Sequence, residues 1–306
     1  MSLFETKNKY LAKEIAKQDY INQMHKIHAC LFDYAGYIPA TDISKIEITD
    51  DSVVMTSREV GIKIICDKSD KRIVPIEILN FDNYEKTDSS MIFKLLKNGF
   101  AVFDIGANIG WYSINIAKRF DKTTVFAFEP IPKTFDYLNR NLQLNHITNV
   151  MPHNFGFSNK EEDLTFYYYP EGSANASSAN LTGQEDVQKI SCHVKRLDDF
   201  VAEHNVPIDF IKCDVEGAEL FVFQGGIRSI AQHKPIIFSE ILRKWSAKFA
   251  YHPNDIIRLL ASLGYKCFTA TEKGLVEFLS VDENTVETNF FFLHTVKHAR
   301  TIGLLT

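Results

Sequence analysis

Apolar and polar positions divide the chain into stretches of different period. Over residues 3–32, Leu11, Ile15, Met24, Ile27 and Leu31 fall near the spacing of an amphipathic helix with a charged opposite face. Such a face has to cover something, either its own domain or a second copy in a homodimer. From Ile43 to Leu79, short runs rich in Ile and Val at 45–48, 53–55, 62–65 and 73–79 alternate with Asp, Ser and Lys clusters, and predict a small antiparallel meander. A break at 80–90 follows, and 90–97 predicts a helix capped by Asp88 or Ser89 and ended by Gly99.

Beyond Gly99 the period itself alternates. Strands are predicted at 101–104, 124–128, 149–153, 208–213 and 235–240, and helices at 109–120, 132–145, 217–229 and 253–263. That rhythm describes an α/β domain with a doubly wound, mostly parallel sheet. The stretch 158–199 interrupts it with two added strands, 164–169 and 189–194, around a polar loop at 172–183 that fits either a lid or a surface excursion. Runs at 265–269, 275–278 and 290–294 predict a closing antiparallel hairpin. The expected division is therefore a helix and β appendage over 1–83 and a main domain over 84–306.

Composition narrows the classes. A formal net charge of −5 argues against a broad phosphate-binding surface, so nucleic acid is not an expected partner. The five cysteines are scattered, with no Cys-x-x-Cys pair, which suggests a reducing compartment and no zinc site. The first residues lack the apolar core of a signal peptide, and no run is long enough to span a bilayer. A cytoplasmic protein is expected.

The chemistry concentrates where strands end. Ala101-Val-Phe-Asp104-Ile-Gly106-Ala107-Asn108-Ile-Gly110 reads as a buried strand ending on an acid and turning through glycines into a helix, with its amides facing a ligand. The next strand ends on Glu129, at the distance where a carboxylate accepts ribose hydroxyls. A dinucleotide fingerprint would place glycine where Asn108 stands, so a nicotinamide-dependent oxidoreductase is disfavoured against a protein that binds S-adenosyl-L-methionine. Asp214, Glu216 and Glu219 cluster after the fourth strand, and Glu240 ends the fifth; acids in a first helical turn also meet the helix dipole, which accounts for Glu216 or Glu219 without any catalysis.

These motifs, taken in order with Phe128-Glu-Pro130, Leu197-Asp-Asp199, Lys212-Cys-Asp-Val-Glu-Gly-Ala-Glu219 and Ser239-Glu240, resemble the FkbM family of S-adenosylmethionine-dependent methyltransferases over roughly residues 84 to 294. The resemblance implies a class I, Rossmann-like methyltransferase fold with a reversed final strand. It also implies O-methylation of a hydroxyl on a saccharide, a sugar-bearing precursor or another natural product. By motif, Asp104, Gly106, Ala107, Asn108 and Gly110 would hold the methionine end of the cofactor. Glu129 and Pro130 would meet the ribose, and Asn154, Phe155 and Gly156 the adenine, with Tyr84 and Glu85 near the cofactor mouth.

For the transfer, Glu240 or His252 would act as base with Asp214 near the cofactor amine; alternatively Asp214 and Glu240 would hold magnesium (Mg2+), as carboxylates at these strand ends do in related O-methyltransferases. Trp245 and Tyr251 could wall a sugar ring. N-methylation, or a non-enzymatic binding protein on this fold, remain the alternatives.

Overall fold

A computed structural model describes residues 2–173, 176–181, 183 and 187–306, so the expected polar loop lies partly outside the described residues. The chain opens with α1 (Leu3–Leu11), α2 (Lys17–His28) and α3 (Cys30–Tyr37) instead of one long helix. Lys13, at φ +60°, breaks the run, and a Tyr10–Tyr20 stack at 4.4 Å folds α1 onto α2. Neither α2 nor α3 buries a residue, and Phe4, Leu11 and Phe32 are exposed, so the expected cover over the protein's own domain does not form.

The meander follows as β1 (Ile43–Ile48), β2 (Val53–Ser57) and β3 (Lys63–Cys66), antiparallel and in sequence order. Its expected fourth strand, 73–79, is instead the helix α4 (Val74–Phe81). Pro75 lies in the first turn, where its missing N–H costs nothing, and Ile78 and Leu79 pack into one cluster with Ile43 and Met55. The next helix, α5 (Lys86–Leu95), starts before the expected cap, because the chain turns at Glu85 with φ +43°.

The main sheet is built from β4 (Ala101–Ile105), α6 (Trp111–Arg119), β5 (Thr124–Phe128), α7 (Pro132–Leu144) and β6 (Val150–His153). A short β7 (Gly156–Phe157) and the hairpin β8 (Glu162–Tyr168) and β9 (Gln188–Lys195) form a separate three-stranded sheet. The main sheet then resumes through α8 (Leu197–His204), β10 (Phe210–Cys213), α9 (Glu219–Gly225), α10 (Ile227–His233) and β11 (Ile236–Glu240). It closes with α11 (Arg243–Ser246), α12 (Pro253–Ser262), β12 (Tyr265–Ala270), β13 (Leu275–Phe278), β14 (Asn289–His294) and α13 (Ala299–Leu305).

Strand order is β13-β12-β14-β11-β10-β4-β5-β6. Five strands, β6, β5, β4, β10 and β11, run parallel, and β14 is inserted antiparallel between β11 and β12. With β13 set aside as an edge extension, this is the Rossmann-like class I methyltransferase topology, and the order reverses beside β4. Ligands bind outside the carboxyl ends of strands at such a reversal.

Alternate residues of each central strand feed opposite cores. Val102, Phe210 and Phe238 join α5, α6 and α7 on one face, whereas Phe103, Ile211 and Ile237 join α8, α9, α10 and α12 on the other. The expected helix at 217–229 is broken into α9 and α10 at Gly225-Gly226. A Cβ on Gly225 would lie 2.1 Å from the Ser158 carbonyl and one on Gly226 2.6 Å from Leu197, so the glycines let this corner close against β7 and α8. Asp198 of the Leu197-Asp-Asp199 motif braces the same corner, accepting from the Ser229 amide and hydroxyl, both at 2.8 Å. That motif is structural.

The β1–β3 meander is fastened to the main domain by Asn141 of α7 and by Asn145, the residue that caps its end. Asn145 Oδ1 accepts from the Lys63 amide and Asn141 Oδ1 from the Ile65 amide, both at 2.9 Å, while Asn141 Nδ2 donates to the Ile109 carbonyl at 2.9 Å. This brings the segment after β3 to the mouth of the crevice.

Candidate active site

The turn after β4 is held open by backbone conformations that few residues adopt. Gly106 (φ +79°), Asn108 (φ +49°) and Gly110 (φ +92°) all lie in the left-handed half of φ space, where asparagine is the side chain best tolerated after glycine. Asn108 Oδ1 accepts from the Ile109 amide at 2.6 Å. The Gly106 and Ala107 amides donate to the Phe128 carbonyl at 3.0 Å, locking the turn to the end of β5. Glu129 completes the lock: Oε2 accepts from the Asn108 amide at 3.0 Å and Oε1 from the Ile131 amide at 2.9 Å. Burial pushes its carboxyl up to about 7, against these two amide bonds.

Beneath the turn lies a buried charge pair. Asp104 is fully buried; its Oδ2 accepts from the Ser113 hydroxyl at 2.6 Å and its Oδ1 faces Lys212 Nζ at 3.4 Å. Lys212 also donates to the Gly106 carbonyl at 3.1 Å and lies 3.4 Å from Asp214 Oδ2. Burial works against its charge, yet Asp214, Asp104 and Glu85 together hold its ammonium above the ordinary lysine range. Glu85 accepts a short hydrogen bond from the Tyr112 hydroxyl, and burial raises its carboxyl to about 7.

The acids after β10 separate into two roles. Glu219 Oε1 accepts from the Val215 and Gly217 amides at 3.1 and 3.0 Å, and its Oε2 accepts from the Tyr251 hydroxyl at 3.2 Å, so it organises the loop. Burial pushes Glu219 up to about 7 despite these amides. The folded protein therefore keeps a proton there that the unfolded chain gives up near its ordinary value of 4.5. Stability from this group is complete below about pH 4.5 and is lost as pH rises through about 7. Relative to Glu219→Gln, wild type is expected to lose up to about 1.4 kcal/mol per pH unit inside that window. Denaturant midpoints of both proteins at pH 5, 6 and 7.5 check this; a constant difference across the three would contradict it.

Asp214, Glu216 and Glu240 each bring a carboxylate oxygen within 4.8 Å of the others. Burial first, and then the Asp214 charge, push both Glu216 and Glu240 well above the usual carboxylate range. Divalent cations of the hard class need ionised oxygens with open approach. The three oxygens lie near enough to meet on one cation, with the Lys212 ammonium as the competing positive charge at Asp214 and Glu240 set outside the cavity wall.

These groups surround a cavity of about 430 Å³. Gly106, Ala107, Asn108, Glu129, Pro130, Gly156 and Asp214 line it, seven of the positions expected to hold the cofactor. Asp104, Gly110 and Glu85 do not; they support the wall from behind. Asn154 turns away, its Nδ2 donating to the Glu129 and Pro130 carbonyls at 2.9 and 3.2 Å, and Phe155 packs on Phe128 and Phe200, so Phe157 and Ser158 take the place expected for them on the wall.

His252 also lies outside the wall. Its Nδ1 accepts from the Asn254 amide at 3.2 Å as the cap of α12, which leaves it a turn residue and not a base. Tyr251 is engaged by the Gly217 carbonyl and Glu219, and neither it nor Trp245 lines the cavity. The aromatic wall is instead made of Tyr84, Trp111, Tyr112, Phe157, Phe166, Phe221 and Phe249.

Sequence reasoning missed Lys212 as a site residue, although a lysine inside the apolar run Phe210-Ile-Lys-Cys213 is a signal of a paired buried charge. It also missed Arg72, which reaches the cavity from the segment before α4 and whose Nε donates to Glu77 at 3.1 Å.

The family profile described as Methyltransferase FkbM domain matches residues 104–267. Methyltransferase 1 of Beauveria bassiana is 30% identical over 144 residues, covering 40% of this chain and 57% of its own length. Hexuronic acid methyltransferase AglP of Haloferax volcanii is 30% identical over 161 residues, with 52% and 61% covered. The 31-O-demethyl-FK506 methyltransferase FkbM of Streptomyces tacrolimicus is 28% identical over 158 residues, with 42% and 60% covered. The chain thus spans less than two thirds of the length of these relatives. A solved FkbM methyltransferase from Methylobacillus flagellatus superposes with a TM-score of 0.42 at 20% identity, over 67% of this chain and 47% of that one. Among the described residues no helix is long and apolar enough to cross a membrane.

Proposed function

The chain belongs to the FkbM methyltransferase family, and from that premise we propose that it is an S-adenosylmethionine-dependent O-methyltransferase whose acceptor is a hydroxyl of a saccharide or sugar-bearing natural-product precursor. One observation carries the reading: a single cavity joins the Gly106 to Asn108 turn and Glu129 to the acidic mouth at Asp214 and Glu216. Glu129, presenting a buried carboxylate to that cavity, suits two ribose hydroxyls. Gly106, Ala107 and Asn108 suit the amino-acid end, where a side chain such as Asn108 would obstruct a pyrophosphate. The substrates named for two relatives, a hexuronic acid and 31-O-demethyl-FK506, support a hydroxyl acceptor.

When bound, the cofactor supplies an electrophilic methyl group on a positively charged sulfonium. The protein's part is to align an acceptor oxygen with it and keep water out. Tyr84, Trp111, Phe166 and Phe249 offer apolar ring surface to an acceptor at the mouth, and the acids there offer a destination for the hydroxyl proton.

Isothermal titration is expected to show S-adenosylhomocysteine binding that Glu129→Ala weakens at least about tenfold, since two hydroxyl bonds to a charged acceptor are lost. Methyl transfer to a panel of nucleotide sugars, uronic-acid glycosides and polyol macrolides, with and without a chelator, is expected to find an acceptor and to survive chelation. Failure to bind the cofactor product, or a thermal shift with NADH alone, would overturn the reading.

A further inference from the structure

The methyl donor's amino-acid end carries an ammonium, for which Asp214 is placed, and a carboxylate, which needs donors of its own. The amides of the turn after β4 cannot supply them. Gly106 and Ala107 donate to the Phe128 carbonyl, Asn108 to Glu129 Oε2, Ile109 to Asn108 Oδ1 and Gly110 to the Ala107 carbonyl, so all of them are taken by the protein itself. A cation on the wall is the alternative, and among the described residues the cavity is lined by Arg72, Lys160 and Lys212. Lys212 is committed to Asp104, Asp214 and the Gly106 carbonyl. Lys160 follows β7, on the side of the cavity shared with Phe157 and Ser158, and its Nζ meets Glu162 Oε2 at 3.0 Å.

Arg72 is placed differently. It enters the cavity from the segment between β3 and α4, in the neighbourhood of Tyr84 and Glu216, at the end where Asp214 lies. Its backbone is clamped from two sides. Asp70, itself buried, accepts from the Arg72 amide at 2.9 Å through Oδ1, and through Oδ2 from the Ser173 amide and hydroxyl at 3.2 and 2.5 Å. The Lys71 amide donates to the Glu171 carbonyl at 3.0 Å. The side chain is fixed once more, because Nε donates at 3.1 Å to Glu77 Oε1 in the first turn of α4. Glu216 is near enough to feel the guanidinium but makes no hydrogen bond or ion pair with it, and the N–H groups of the two Nη atoms have no acceptor among the described residues. A guanidinium held by Nε presents its outer edge as a fork, the shape that grips a carboxylate with two parallel bonds.

Resting on the S-adenosylmethionine reading, we propose that Arg72 holds the carboxylate of the methyl donor's amino-acid end. With Asp214 at the ammonium and Arg72 at the carboxylate, the zwitterion is gripped at both charges, while Glu129 takes the ribose at the far end. A donor pinned at both ends leaves its sulfonium little freedom, which is what in-line transfer to an acceptor oxygen requires. Arg72 therefore acts on the donor and not on the acceptor. Its side chain is 61% exposed, so the bond forms at the solvent edge of the cavity and has the strength of a partly hydrated pair.

S-Adenosylhomocysteine and its decarboxylated analogue, which keeps the adenosine, the thioether and the amine, isolate the carboxylate without any acceptor. Calorimetric titration of each into the full chain is expected to show wild type binding the carboxylated ligand at least about tenfold tighter. Arg72→Gln should weaken S-adenosylhomocysteine by that factor and leave the analogue within about threefold of wild type, since the analogue's affinity reports an intact crevice. Arg72→Lys should recover part of the loss, because it restores the charge without the fork. Equal affinity of wild type for the two ligands would overturn the proposal. So would an equal loss of both in Arg72→Gln, which would give Arg72 the shape of the mouth and not the carboxylate. A preference that persists in Arg72→Gln would also overturn it, in favour of the first amides of α6. Each of these leaves the methyltransferase reading intact, whereas absence of binding by both ligands to wild type would remove that reading itself.

Discussion

Lys212→Met is expected to destabilise the protein by about 3–5 kcal/mol, the range for breaking a buried ion pair from one side. The Lys212 side chain is 5% exposed and that of Asp104 is fully buried, so the lost ammonium leaves a buried carboxylate with no second ion pair among the described residues. Ser113 still donates to Oδ2, but Oδ1 has no other partner. The damage is not confined to stability. Lys212 also holds the Gly106 carbonyl, so the turn that lines the crevice loses its anchor to β10, and affinity for S-adenosylhomocysteine should fall with it.

The paired substitution Asp104→Asn with Lys212→Met tests the cause. With both charges gone no ion is stranded, and more than half of the lost stability is expected back, as a coupling between sites in contact. Urea denaturation of the four proteins gives the coupling directly; a double variant no more stable than Lys212→Met would show that packing, not charge, dominates.

That lysine marks where the sequence stopped being legible. Strands β4, β5, β10 and β11 announce themselves as apolar runs ending on acids or turn glycines, and the C-terminal hairpin lies within a residue of its expected limits. Those signals are local. Lys212 is one charged residue in such a run, and its partner Asp104 is 108 positions earlier, brought beside it only because β4 and β10 pair in parallel with Lys212 opposite Asp104.

The same distinction explains the other departures. Residues 73–79 have an apolar composition equally fit for a strand or a buried helix, and the first-turn proline decides it. Asn154 and Phe155 follow β6 at the right distance for an adenine site, but the chain pairs again at once as β7, parallel to β9, and this turns Phe155 into the Phe128 and Phe200 cluster. His252 and Glu219 carry chemically versatile side chains whose capacity is spent on backbone amides, one capping α12 and the other closing the loop after β10. Glu216 is the converse case. A glutamate before a glycine at a helix start reads as a dipole partner, yet it lies on the cavity wall with Oε2 buried and without a hydrogen-bond partner among the described residues.

Gly106→Ala should be the most damaging substitution of a single small residue in the protein's crevice. Its Cβ would fall 1.8 Å from the Asp214 carbonyl oxygen and 2.9 Å from the carbonyl carbon, far inside contact distance. Both atoms are backbone, so no side chain can swing away. The Asp214 amide is itself bonded to the Ile105 carbonyl at 3.0 Å, which ties the two strand ends together just where they would have to separate. Relief therefore requires β4 and β10 to part at the ligand-binding edge.

A loss above about 4 kcal/mol and no measurable S-adenosylhomocysteine binding are expected, the size reserved for overpacking against immovable structure. Gly99→Ala isolates the conformational part, since Gly99 has φ +87° but nothing within 4 Å of its would-be Cβ. That variant should lose only about 1 kcal/mol and bind the ligand normally. If the two alanine variants were equally stable in urea, the close approach of Gly106 to Asp214 would carry none of the crevice's shape. A Gly106→Ala protein that folds near wild-type stability yet fails to bind would place the approach in ligand recognition alone.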